Sequence, residues 1–193
     1  MKGNHVKRGD IQFRRIATIL ISIAAVIAIL CTIVFAQEEG KLSKPNKMKV
    51  GSEAPDFSAT TVSGLQVSLS AYRGKIVLIN FWASYCKPCV REMPLIHQVL
   101  QSQDSEIETL FVNVGETKGT IHAFMKEHQF TFPVIIDITG KISKQYGITG
   151  LPATFIIDET GNFSKVVLGE VADDKSLRLW LERAKRSIRS IAN

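Results

Sequence analysis

The chain has 193 residues, 45% of them hydrophobic, and a formal net charge of +6. Residues 1–15 supply +4 of that charge, five basic residues (Lys2, Lys7, Arg8, Arg14, Arg15) less Asp10, so the remainder is only slightly basic. The basicity is therefore a signal of membrane topology and not evidence for nucleic-acid binding. The length fits one domain with an added segment, and no internal repeat or low-complexity tract interrupts it.

The added segment comes first. Residues 16–36, IATILISIAAVIAILCTIVFA, carry no charge. About twenty apolar residues are enough for a helix to cross a bilayer, whereas the apolar run of a cleavable signal stops near fifteen. A retained transmembrane anchor is predicted over 16–36, with a cytoplasmic tail at 1–15, because basic residues precede the span and Glu38 and Glu39 follow it. A secretory signal cut after Ala36 is the competing reading, and in either case the following domain is exported. Residues 37–49 are polar and lysine-rich, contain Pro45, and read as a linker.

The domain is expected over 50–193. FSATTVSGLQVSLS alternates about Gly64 as a hairpin does, and YRG makes a turn. KIVLINFW, IETLFVNV, FPVIID and ATFIID are short runs rich in Ile, Val and Phe, the composition of strands covered on both faces. Helical patterns fall between them: one from the cysteine pair to about Gln101, then TIHAFMKEHQ, KISKQYG, and a last one from Asp173 to the end. DETGN is a turn into a hairpin partner, KVVLG. Strands and helices in this alternation predict an α/β domain, a central mixed sheet flanked by helices. The basic residues of the last helix, Arg183, Lys185, Arg186 and Arg189, read as a solvated face balancing the helix dipole.

Chemistry concentrates in NFWASYCKPCVREMP, residues 80–94. Cys31 lies inside the apolar span, which leaves Cys86 and Cys89 as a pair. A zinc site would need two more ligands, and neither a second cysteine pair nor a close histidine pair exists; His97, His122 and His128 read as helix-surface residues. A purely structural disulfide is disfavoured, since so short a loop removes little entropy from the unfolded chain. Redox cycling fits the position between a buried strand and a helix start. There, free backbone N–H groups and the helix dipole favour a thiolate on Cys86, the expected exposed nucleophile. Cys89, one turn further on and more buried, would resolve a mixed disulfide, and Pro88 would hold the bend where its missing N–H costs nothing.

Strand, FWASYCKPC and the helix proline Pro94 resemble thioredoxin, and GLPATFIID resembles the family loop in which a cis proline, here Pro152, faces the cysteines. The resemblance covers about residues 50–190 and implies a thioredoxin-like fold with Trp82, Lys87, Pro88, Leu151 and Pro152 at the substrate surface. GSEAPDFSATTVSGLQVSLSAYRGKIVLINFW and FVNVGETKGTIHAFMKEHQFTFPVIID are similar to the membrane-anchored ResA and TlpA type of thiol-disulfide oxidoreductase. Thioredoxins place a buried Asp where this chain has Asn80. The resemblance instead offers Glu116, in NVGE, as a buried carboxylate that takes the proton from Cys89; the competing role is a cap for the next helix. Lys87 departs from the glutamate usual at this position of the ResA group and favours the thiolate, and Tyr85 stands where many thioredoxins have tryptophan.

The resemblance implies an extracytoplasmic, single-pass membrane enzyme that reduces disulfides in exported polypeptides such as apocytochrome c. It needs no cofactor beyond the redox-active Cys86–Cys89 pair and no metal. A membrane electron carrier would re-reduce it. Other readings are thiol-disulfide exchange in spore envelope formation and a thiol oxidant. A peroxidase would need a hydroxyl at Ala83, and a copper chaperone on the same fold would use three residues between its cysteines.

Overall fold

A computed structural model of the chain describes residues 16, 18–32, 48–102 and 107–189. The chain divides into two compact units, Met1–Lys44 and Pro45–Asn193. In the first, residues 18–32 form an exposed helix, α1. Among the described residues no helix is long and apolar enough to cross a membrane. The expected anchor runs to residue 36, and its last four residues, most of its linker and the cytoplasmic tail lie outside the described residues.

The second unit is built on a five-stranded mixed sheet of order β5-β4-β3-β6-β7. Its strands are β3 (Ile76–Trp82), β4 (Ile107–Val114), β5 (Val134–Asp137), β6 (Ala153–Ile157) and β7 (Phe163–Leu168). β3, β4 and β5 run parallel, while β6 and β7 are antiparallel. The hairpin expected about Gly64 is β1 (Ser58–Thr60) with β2 (Gln66–Ser68), and Gly64 takes φ +92, a conformation glycine reaches without strain. Thr61 bridges to Ile135, so this hairpin covers the β5 edge. Met48, two residues before the expected start of the domain, packs against the core.

Every residue of β3 is buried, and its side chains divide by alternation. Ile76, Leu78 and Trp82 face α2 (Lys87–Gln101), α3 (Lys118–Glu127) and α5 (Asp174–Arg189). Val77, Ile79 and Phe81 face α4 (Lys141–Gln145), Phe57 and Leu69. Each large apolar side chain enclosed this way contributes roughly 1.5–3 kcal/mol. Asn80 belongs to the first of these faces, a polar residue in an otherwise apolar strand. That placement decides the chemistry of the site.

Helix ends carry local reasons. Cys86 is the N-cap of α2, with Pro88 in the first turn where no N–H is required. Pro94 lies inside α2, which loses one hydrogen bond there and continues to Gln101. Thr117 caps α3 by accepting from Thr120 N, so that role does not fall to Glu116. The Asp137 carboxylate accepts from Ile142 N and Ser143 N at the start of α4.

Candidate active site

The loops that follow parallel strands β3 and β4 meet at one end of the sheet. There a single carboxylate ties them together: Glu116 accepts from Ser84 N at 2.7 Å, Ser84 Oγ at 2.5 Å and Asn113 Nδ2 at 2.6 Å. Ser84 lies two residues before Cys86, so Glu116 fixes the approach to the cysteine pair. It is half-buried. This differs from the expected buried acid, because its position just past the strand end leaves it at the rim.

Cys86 and Cys89 form a disulfide with sulfurs 1.99 Å apart. Cys89 N donates to Cys86 Sγ at 3.3 Å, the contact of a helix N-terminus that stabilises a thiolate in the reduced state. Cys86 is 8% exposed and Cys89 is fully enclosed, which gives the order of access expected of nucleophile and resolving thiol, although Cys86 is more sheltered than expected.

A groove of about 610 Å³ opens beside Cys86. Tyr85, Lys87 and Pro88 line it from the cysteine side, and Thr149, Gly150 and Leu151 line it from the loop before β6. The Leu151–Pro152 peptide bond is cis. Leu151 borders the groove, whereas Pro152 is buried behind it and its carbonyl accepts from Gly169 N at 2.9 Å. Tyr85 is 73% exposed at the mouth.

Trp82 corrects an expectation. The resemblance places it at the substrate surface, but it is 0% exposed and packs on Phe124 with ring centroids 5.2 Å apart. The last residue of a central strand covered on both faces points inward to the helices, so Trp82 supports the site from within.

Glu92 is the residue that sequence reasoning missed. It lies on the buried stripe of α2 with Cys89, Met93, Ile96 and Val99, one turn beyond Cys89, and is 1% exposed. Asn80 Nδ2 donates to its Oε1 at 2.7 Å and Val171 N to its Oε2 at 2.6 Å; Asn80 also donates to Thr154 Oγ1 at 3.0 Å. Burial outweighs these hydrogen bonds and pushes the Glu92 carboxyl up to about 7. A carboxyl that gains and loses its proton near neutrality, one helical turn from a resolving cysteine, is suited to general acid–base work. The available signal was a glutamate in phase with the apolar residues of an amphipathic helix.

Among the described residues no group of three His, Cys, Asp or Glu side chains is arranged to hold a metal ion. The chemistry that this arrangement supports is dithiol–disulfide exchange.

Fold and site together place the protein in the class of thioredoxin-like thiol-disulfide oxidoreductases. Comparison with known proteins carries this further: the chain belongs to the AhpC/TSA family, which it matches over residues 50–166. Thiol-disulfide oxidoreductase ResA of Bacillus thuringiensis subsp. konkukian is 36% identical over 147 residues, 75% of this chain and 85% of the relative. The ResA of Geobacillus thermodenitrificans is 39% identical over 137 residues, 70% of this chain and 78% of the relative. Among solved structures, a thiol:disulfide interchange protein DsbE from Chlorobium tepidum is similar with TM-score 0.66 at 29% identity, covering 72% of this chain and 99% of that one. The resemblance to the ResA type read from the motifs is borne out.

Proposed function

We propose that this protein is a membrane-tethered, extracytoplasmic reductase of disulfides in exported polypeptides, with apocytochrome c as the representative substrate. The observation that carries the thiol-disulfide exchange is the pairing of Cys86 at the groove with the enclosed Cys89 and Glu92 behind it. The uncharged span at 16–36 and the basic residues before it support the location, and the ResA relatives support the substrate class.

An extended chain lies in the groove between the Tyr85–Pro88 wall and the Thr149–Leu151 wall, bringing its disulfide to Cys86. The Cys86 thiolate attacks one substrate sulfur, a mixed disulfide forms, and the other substrate sulfur leaves as a thiolate. Glu92 takes the proton from Cys89, whose thiolate then attacks Cys86 Sγ. The Cys86–Cys89 bond forms, the mixed disulfide breaks, and the second substrate thiolate leaves and is protonated. Two electrons have passed to substrate. A membrane carrier with a dithiol returns them, and no other cofactor is required.

Insulin reduction by the reduced protein, with Cys86→Ser as control, tests the activity. Turbidity should develop with the native chain and not with the variant. Equal rates for both would overturn the reading.

A further inference from the structure

Three consecutive residues after β7 each reach a different part of the site. Gly169 N donates to the Pro152 carbonyl at 2.9 Å. The Glu170 carboxylate receives a two-pronged contact from Arg91, Nε to Oε1 at 3.0 Å and Nη2 to Oε2 at 2.6 Å. Val171 N donates to Glu92 Oε2 at 2.6 Å, and the Val171 side chain is buried in the core cluster that holds Cys86 and Cys89. Gly169 takes φ +114, where a side chain would be strained, so the strap turns at a glycine.

Arg91 and Glu92 are neighbours on α2, one facing out and one in; Glu170 and Val171 repeat this arrangement on the strap. The ion pair outside therefore lies over the amide–carboxylate bond inside. We propose that the Arg91–Glu170 pair is a clamp that positions the Gly169–Val171 backbone between the Pro152 loop and Glu92, and thereby controls how readily Glu92 takes a proton. Arg91 and Glu170 are positioning residues and touch no substrate.

Few charges compete. Among the described residues the charge that acts on Glu92 is that of Glu170 on the strap, which holds the Glu92 carboxyl up, while Cys89 on α2 is tied in the disulfide. β3 and β6 present Asn80 and Thr154, which do not titrate. α5 faces α2 through Leu177, Leu181 and Ala184, and its Arg178 reaches Ser102 beyond the far end of α2. The clamp itself is exposed, 62% at Arg91 and 32% at Glu170, and such pairs add little to global stability. Its influence is local: removing Arg91 frees the strap, weakens the amide bond that favours the carboxylate, and leaves the Glu170 charge unneutralised. All three effects push Glu92 in the same direction, towards holding its proton.

The inference rests on the reading of Glu92 as the proton acceptor, and its test reads Glu92 directly. In the full oxidised chain in detergent micelles, with ¹³C-carboxyl-labelled glutamate, the Glu92 resonance is assigned by its loss in Glu92→Gln and titrated with pH. Arg91→Gln should move the midpoint upward from about 7 by about half a pH unit. The charge-swapped double variant Arg91→Glu/Glu170→Arg should return it to the native value or below. An Arg91→Gln midpoint equal to the native one, or a swap as displaced as the single variant, overturns the clamp. Full insulin-reducing activity in Glu92→Gln would instead remove Glu92 from the reaction and leave the clamp's effect on its titration standing.

Discussion

Asn80 in the central strand donates its side-chain amide to the Glu92 carboxylate on α2, 2.7 Å away, inside a face of the sheet that is otherwise apolar. Asn80 occupies the position where thioredoxins carry the buried acid. In this chain the ionisable group lies on the helix that bears the cysteines, and Asn80 serves as its hydrogen-bond donor.

A first prediction follows from that burial. The folded chain binds the Glu92 proton up to about pH 7, while an ordinary glutamate releases it near 4.5. Between those values the folded state holds more protons than the unfolded one, so stability falls as pH rises from about 4.5 to 7 and levels off above. The full loss is about 3 kcal/mol. Denaturant midpoints of the oxidised protein from pH 5 to 8 should show this decline, and Glu92→Gln should flatten it. Parallel curves for the two proteins would contradict the assignment.

Reaction kinetics should separate the two carboxylates. Glu92→Gln should slow resolution of the mixed disulfide at neutral pH by roughly tenfold or more. Glu116→Gln keeps an acceptor for Ser84 and should leave the pH dependence of resolution as in the native chain. A Glu116→Ala change strands the donors of Ser84 and Asn113 and should cost about 1–2 kcal/mol of stability. If stopped-flow traces show a changed pH midpoint in Glu116→Gln and a native one in Glu92→Gln, the roles are reversed.

Lys87 is exposed and lines the groove next to Cys86. Its charge favours the reduced thiolate and leaves the disulfide unaffected. Lys87→Glu should therefore slow iodoacetamide alkylation of Cys86 at neutral pH and make the reduction potential more negative by roughly 20–40 mV. Raised salt should shrink the difference. Equal potentials measured against glutathione would show that the charge at this position does not reach the sulfur.

Much of this architecture could be read from residue order. β3 and β4 announce themselves as unbroken apolar runs because both faces are covered, and the cysteine pair stands between one such strand and a proline-marked helix start. Gly64 marked the hairpin. What escaped was the direction in which particular side chains point. Trp82 belongs with the core because alternation along β3 carries it to the helix side, and Glu116 lies at the rim because β4 ends two residues earlier. Glu92 is hard to read because a charged residue in a helix looks solvent-facing unless its phase with Cys89, Met93 and Ile96 is counted. The strap that bonds to Glu92 comes from residue 171, far along the chain, and no local pattern signals such a contact.

Cys86 receives substrate at the groove and Cys89 resolves it from within. Reduced Cys89→Ser protein, mixed with a disulfide-bonded peptide and digested for mass spectrometry, tests it most directly. One mixed disulfide, on Cys86, should persist, where the native chain passes on to the Cys86–Cys89 disulfide and two free peptide thiols. Absence of any adduct in Cys89→Ser, together with a stable adduct on Cys89 in Cys86→Ser, would contradict it.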